Sequence, residues 1–412
     1  MKKKILFIVN YFYPDPASTG QLITELCLAV RDSFRVTVIA AQPGGYAGGE
    51  GRPGRLIEAG MFEGIRVVRL RLPAVDKVSK ISRIRYVLTY FVLAHIALLR
   101  EKSVDIIYTI STPPVLGGLI GTIGKFLKRT KHVYNIQDFN PEQAAAVRFT
   151  KSRLIFKLAR LVDKFSCRHA DNIVVVGRDM AETLKNRFLD HKVPSYQVIH
   201  NWTDENEIVP LPKTERHVHR FLEENGLKEK FIIMYSGNLG LYYDLENLIK
   251  LTKEFVEIDD LAFVFIGEGA VKKQMQRFVA DEAIKNVFFL PYQPKDFIKF
   301  SLNAADVHLV VNQKGIKGVS VPSKIYGVMA AGKPVIGVLE RGSEAERLIT
   351  GSSCGRVVEP HDYKGAAALI RGFYLMERGQ REQMGLKGRH YLEQHLRKEV
   401  SIGKYKQLLM GL

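Results

Sequence analysis

Apolar residues in this chain come in short runs, each followed by a polar loop and then by a segment whose apolar positions recur every three or four residues. The first run, Ile5–Val9, passes through the loop "NYFYPDPASTG" into Gln21–Arg31. Short apolar runs bounded by turn residues read as buried strands, and the spaced segments as amphipathic helices. The strands of the first half are then Ile5–Val9, Arg35–Ala40, Ile65–Leu70, Asp105–Ile110, His132–Ile136, Asn172–Val176 and Tyr196–Ile199, with helices such as Gln21–Arg31 and Ser152–His169 between them. The rhythm restarts with "KFIIMYSG", the helix "LENLIKLTKEFVE", and the strands "AFVFIGEG", "NVFFLPY", "DVHLVVN" and "KPVIGVL". A polar, proline-bearing stretch at 203–230 separates the halves. Continuous apolar strands alternating with helices predict parallel sheets covered on both faces. The fold class is therefore α/β, with two Rossmann-like domains joined near 203–210.

Composition changes that picture little. A chain of 412 residues with 46% apolar and 25% charged positions is an ordinary globular sequence, long enough for two domains. Cys27, Cys167 and Cys354 are far apart, which argues against a disulfide framework or a zinc knuckle. The start "MKKKILFIVNYFYP" has basic residues before an apolar run, but the run is too short for a signal peptide. It reads as the first strand, and the chain as cytoplasmic.

Charge changes it more. Of the net +18, residues 1–200 carry 31 Lys+Arg against 16 Asp+Glu, and the remainder 30 against 27. A basic half suggests a polyanionic surface, lipid or nucleic acid. No recognition helix or aromatic–basic interleaving supports nucleic acid. The stretch "KVSKISRIRYVLTYFVLAHIALLREK" is the most membrane-like, yet Tyr86–Leu99 is too short to span a bilayer. It is either a core helix with a basic entry loop or a helix dipping into the bilayer interface. In the second case Lys77, Lys80, Arg83 and Arg85 sit over phosphate head groups, and "GKFLKRTKH" at 124–132 extends the basic face.

Three stretches carry candidate chemistry. Only Gly20 lies between the first strand and Gln21, so the Gly-x-Gly-x-x-Gly loop of dinucleotide binders is absent. In "YSGNLGLYYDLENLI", Gly237 and Gly240 punctuate a turn where backbone N–H groups can approach a phosphate, Asn238 can donate a side-chain bond, and Asp244 suits a helix N-cap. In "GVSVPSKIYGVMAAGKPVIGV", Ser323 caps a helix or binds ligand, and Lys324 places a cation where the helix dipole opposes it, which makes sense beside a diphosphate. Gly332 and Pro334 read as helix-stop and strand-start residues. No Asp-x-Asp pair is present, and His217-x-His219 has no third ligand, so the sequence offers no metal site.

The segments "YSGNLG", "FIGEG", "ADVHLV", "VPSKIYGVMAAGKPVIG", "GSEAERLI" and "CGRVVEP", in that order, resemble the second domain of glycosyltransferase family 4, and "VIHNW" at 198–202 resembles the end of its first domain. The resemblance covers nearly the whole chain. It implies the GT-B fold, two Rossmann-like domains facing a cleft: residues 1–205 on the acceptor and membrane side, joined by a returning C-terminal helix at 395–412, and residues 206–394 for the nucleotide sugar. It also implies retaining transfer of a sugar without a metal or other cofactor, from a nucleotide sugar with UDP favoured. Relatives by pattern build surface polysaccharide such as O-antigen or capsule, including polymers of N-acetylated deoxyamino sugars. The basic first half motivates a setting at the inner face of the plasma membrane, with a lipid-linked saccharide acceptor.

Within that resemblance, Thr19 and Gly20 lie near the donor phosphate, and Gly237, Asn238, Gly240, Ser323 and Lys324 bind the donor. Asp138 and Thr112 line the acceptor side, with Asp138 and Lys324 the catalytic candidates. The leaving phosphate can take the acceptor proton itself, so Asp138 need not be a general base. The sequence also departs from the family. Its paired glutamates fall at Val319 and Gly327, its arginine after the glycine turn is Asn238, and its nearby lysine is missing near Tyr243. The diphosphate cations must come from elsewhere, with Lys324 the first candidate. Glu344 either contacts ribose or sugar or caps a surface helix. A sugar-nucleotide epimerase of similar shape is the alternative enzyme, and a basic nucleic-acid-binding protein the alternative outside catalysis.

Overall fold

A computed structural model describes residues 2–15, 17–44, 55–75, 79–146, 152–189 and 191–412. Its chain divides into two compact units, one of Met1–Ala145, Thr150–Ile199 and Ile402–Leu412, the other mainly His200–Ser401.

Among the described residues the first unit holds eight strands: β1 (Lys4–Ile8), β2 (Arg35–Ala41), β3 (Ile57–Phe62), β4 (Ile65–Leu70), β5 (Ile106–Ile110), β6 (Lys131–Ile136), β7 (Asn172–Val175) and β8 (Tyr196–Val198). They lie in the order β3-β4-β2-β1-β5-β6-β7-β8, all neighbours parallel except β3 and β4. Around them run α1 (Ser18–Val30), α2 (Lys80–Arg100), α3 (Leu116–Lys128), α4 (Glu142–Ala146), α5 (Arg153–His169) and α6 (Arg178–Arg187). Every residue of β1 and β5 is buried, as central parallel strands require. The antiparallel β3 was not expected. Its "IEAGMF" is mostly exposed, so it lacks the apolar run that marks the other strands.

Close approach sets the helix α3. A Cβ on Gly121 would stand 2.0 Å from the His132 ring, and one on Gly118 within 2.6 Å of Tyr134. Only glycine lets α3 lie this near β6. The returning C-terminal segment enters the same core: Asn135 Nδ2 donates to the Tyr108 and Tyr405 hydroxyls, both at 2.6 Å.

The second unit holds β9 (Phe231–Ser236), β10 (Leu261–Ile266), β11 (Val287–Leu290), β12 (Val307–Val311), β13 (Val335–Val338) and β14 (Gly355–Val358), in the all-parallel order β11-β10-β9-β12-β13-β14. Its helices are α7 (Arg216–Glu224), α8 (Leu245–Leu248), α9 (Lys272–Asp281), α10 (Ile298–Asn303), α11 (Lys324–Ala330), α12 (Glu344–Ser352), α13 (Tyr363–Leu375) and α14 (Arg378–His395). A last helix, α15 (Lys398–Met410), begins here and contributes its residues from Ile402 onward to the first unit. Phe231, Tyr235, Phe255, Phe263 and Phe265 centre the core. The three cysteines are free and buried.

Candidate active site

In open parallel sheets, ligands gather at the carboxyl ends of the strands. In the second unit that edge carries the turn after β9. Gly237 sits at φ +144°, a region that favours glycine. The turn packs back to back with the one after β10, where a Cβ on Gly267 would lie 2.0 Å from the Gly237 carbonyl oxygen. This geometry corrects one expectation. The Gly237 N–H donates to the Ile266 carbonyl at 2.9 Å and the Leu239 N–H to the Glu268 carbonyl at 2.9 Å. Among the described residues, Asn238 and Gly240 are the two of positions 237–240 whose N–H groups have no intramolecular acceptor.

Lys324 is the first residue of α11, and its side chain reaches back to this turn. The residue is half-buried, but its ammonium nitrogen is withdrawn from solvent and has no hydrogen-bond partner among the described residues. It lies 3.7 Å from the centre of the Tyr235 ring and 4.2 Å from that of Tyr243. A Cβ on Gly237 would stand 3.7 Å from it. Burial drives its pKa well below the usual lysine value, and two ring faces only partly replace lost water. The Ser323 side chain makes no capping bond, so the capping alternative falls away. Asp244 is not a side-chain cap either. It adopts φ +54°, and its carboxylate accepts from Asn247 Nδ2 at 2.6 Å and the Tyr363 hydroxyl at 2.7 Å.

Glu344 opens α12, but Ser343 is the cap. The surface-cap alternative therefore fails. Glu344 is buried, with Oε1 2.8 Å from His200 Nε2. His200 and the two tyrosines around Lys324 were missed from sequence. The only sequence signals were aromatic residues flanking the glycine turn and a histidine in "VIHNW". Gly332 does end α11 with φ +62°.

In the first unit, the ends of β1, β5 and β6 are neighbours. Thr19 and Gly20 follow β1, in the first turn of α1 instead of the preceding loop. Gly20 is pressed against Tyr11, whose Cβ would be 3.1 Å from an added Cβ. Thr112 and Asp138 follow β5 and β6. Ser111 ties them, since its Oγ accepts the Gln137 and Asp138 N–H groups, each at 3.1 Å. Asp138 Oδ1 accepts from Gln143 at 2.9 Å. Beneath this loop Arg187 binds Asp163 and Glu142 and donates to the Asn140 carbonyl at 3.2 Å. Asp163 is shifted up by its burial, against the pull of the Arg187 charge.

Of the expected lipid-facing cations, Lys77 lies outside the described residues and Lys80 begins α2. Arg85 is exposed, while Arg83 is half-buried with Nε withdrawn from solvent. A cavity of about 860 Å³ opens at the amino-terminal edge of the first sheet, beside Lys4, Arg66 and Glu101. There Glu101 pairs with both cations, and no candidate residue lines it. Among the described residues no His, Cys, Asp and Glu cluster could hold a metal ion.

Comparison with known proteins agrees with this architecture. Residues 219–391 match the family model "Glycosyl transferases group 1", and residues 19–202 the model "Glycosyl transferase 4-like domain". The chain is 28% identical over 307 residues to "Probable glycosyltransferase WbjE" of Pseudomonas aeruginosa, covering 74% of each chain. It is 25% identical over 280 residues to the Escherichia coli K12 protein named "Putative colanic acid biosynthesis glycosyl transferase WcaI", covering 66% of each. The Anabaena protein HepE, solved in complex with UDP, superposes over the whole of both chains with a TM-score of 0.73 at 15% identity.

Proposed function

The chain is a glycosyltransferase, its halves belonging to the group 1 and 4-like families, and from that premise we propose that it transfers a sugar from a nucleoside diphosphate in surface-polysaccharide synthesis, with retained configuration and no metal. The observation that carries the reading is the buried Lys324 ammonium, which among the described residues has no anion of its own and lies beside a turn with two unclaimed N–H groups. A diphosphate supplies what each of these groups lacks. HepE's UDP makes a UDP-sugar the favoured donor. WcaI, by its name, suggests an exopolysaccharide product, and an N-acetylated amino or deoxyamino sugar suits that class.

In the reaction the C1–oxygen bond to the diphosphate breaks while the acceptor oxygen bonds to C1 on the same face. The acceptor proton passes to the departing phosphate oxygen. Negative charge grows on the diphosphate, so Lys324, the Asn238 and Gly240 N–H groups and the Ser323 hydroxyl stabilise the transition state more than the ground state. Glu344, held by His200, contacts the ribose in place of the missing glutamate at Gly327. Thr19 and Gly20 also serve the donor. Asp138 and Thr112 orient the acceptor hydroxyl, and that acceptor is a lipid-linked saccharide at the inner face of the plasma membrane.

The test is a screen of UDP-, GDP- and dTDP-sugars by thermal shift, followed by transfer assays without and with a chelator. Lys324→Met should lower kcat/KM by about 10²–10³-fold, the scale for losing one group that stabilises a growing anion. Near-normal turnover in a folded Lys324→Met protein sinks the assignment.

A further inference from the structure

Three neighbouring helices of the first unit turn apolar side chains to solvent. On α2, Ile84, Leu88, Val92, Ile96 and Leu99 point outward, while Tyr90, Leu93, Ala94 and Leu98 pack inward with Leu6 and Ile8. On α5, Leu154, Ile155, Leu158, Leu161 and Phe165 are exposed, Leu154 by 76% and Leu158 by 61%. Between them α3 exposes Phe126 and Leu127. The three strips join at one end. Lys128 Nζ donates to the Leu99 carbonyl at 2.8 Å. The Phe126 ring lies 5.5 Å from that of His169, which lies 4.2 Å from that of Phe165. Water-soluble monomers seldom expose so continuous an apolar surface.

Charge selects the occupant. These helices, of 21, 13 and 17 residues, contain eleven Lys and Arg and a single carboxylate, Asp163. Asp163 is buried against Arg187 and Tyr134. The outward faces are thus apolar and the helices' own edge charges are cations, two of which, Lys125 and Arg160, also face Asp171 and Glu142 of neighbouring segments. Protein partners bring both signs at the rim, whereas cations of one sign, with stems lying on apolar surface and heads free to reach outward, suit phosphate head groups. Ile81–Arg100 is long and apolar enough to cross a membrane, but its inner face is part of the unit's core, so it lies along a bilayer instead of through it.

We propose that the joined face of α2, α3 and α5 docks this protein on an anionic lipid bilayer. The apolar strip enters the boundary between head groups and acyl chains, and the flanking cations contact lipid phosphates. The face extends across α3 to α5 and is not confined to the basic entry to α2. The proposal deepens the lipid-linked reading and rests on it only for the acceptor.

Sedimentation of the full chain with phosphatidylcholine vesicles, with and without phosphatidylglycerol, tests it. The wild type should bind the anionic vesicles in preference, less so at high salt. The double variant Leu158→Ser, Leu161→Ser should lose about tenfold or more in partitioning, from the apolar area it no longer inserts. Arg153→Glu with Lys157→Glu should abolish the preference for anionic vesicles. Unchanged melting temperature and UDP-induced shift in these variants show that the fold and donor site are intact. Wild-type partitioning by Leu158→Ser, Leu161→Ser overturns the proposal, as does self-association through this face without vesicle binding. Vesicle binding without a shift by any nucleotide sugar supports this face and sinks the donor reading instead.

Discussion

Lys324 is a charged side chain held where charge is disfavoured. At neutral pH the unfolded chain carries its proton at little cost, while the folded chain pays for burial without an anion. Lys324→Met should therefore raise the melting temperature of the ligand-free protein by about 2–4 °C, the shift of ~1 kcal/mol in a domain of comparable size. The same variant should lose the stabilisation that a nucleoside diphosphate gives. Destabilisation instead would mark the lysine as structural. A bound diphosphate favours the ammonium, so binding takes up a proton. Donor affinity should weaken as pH rises through the lowered pKa of the empty site, and titration calorimetry in buffers of different ionisation enthalpy should record that uptake for wild type but not for Lys324→Met. The residues around Lys324 were only half legible. A cation at the start of a helix stands out in "VPSKIYG", whereas Tyr235 and Tyr243 read as strand and turn aromatics. Their rings meet one ammonium only because the end of β9, the 3-10 turn Leu241–Tyr243 and the start of α11 come together in space.

Among elements, strands were the most legible because a central parallel strand must be apolar on both faces. β4 has the expected bounds, and β1, β2 and β5 through β8 differ from expectation by a residue or so at their ends. The edge strand β3 escaped because exposure lets it be polar. The segment after Asp244 escaped in another way. The expected single helix breaks into α8 and a 3-10 stretch at Ile249–Phe255, a hydrogen-bonding choice that side-chain spacing does not encode. Glycines in α3 look like poor helix formers in sequence but are the reason it can lie on β6. Gly121→Ala would drive a methyl into His132, and it should destabilise the first unit by about 1–3 kcal/mol, the usual cost of overpacking. Urea unfolding of the variant measures this, and an unchanged midpoint would show that α3 can shift. Arg187→Met should cost about 3–5 kcal/mol by leaving Asp163 buried without its cation, with the loop at 138–142 loosened in hydrogen exchange.

Across the whole molecule, each unit keeps one histidine neutral by burial. His132 is lowered to about 3 and His308 to about 4, the latter donating from Nε2 to the Leu302 carbonyl at 2.9 Å. Below the ordinary value of 6.5 the unfolded chain binds these protons and the folded chain does not. Stability is therefore lost as pH falls from about 6.5 towards 4. His308→Asn should flatten that decline in thermal melts, and an unchanged slope would remove the histidine as its cause. The two-unit plan was readable from the restart of the strand rhythm, but the partnership of Tyr405 with Asn135 was not, because 270 positions separate them. That partnership orders events during synthesis. A ribosome that has translated Ile199 has made every strand of the first sheet yet not the helix end that Asn135 binds. The second sheet, begun later, has its last strand by Val358, before the segment from Ile402 that the first unit still needs has been made.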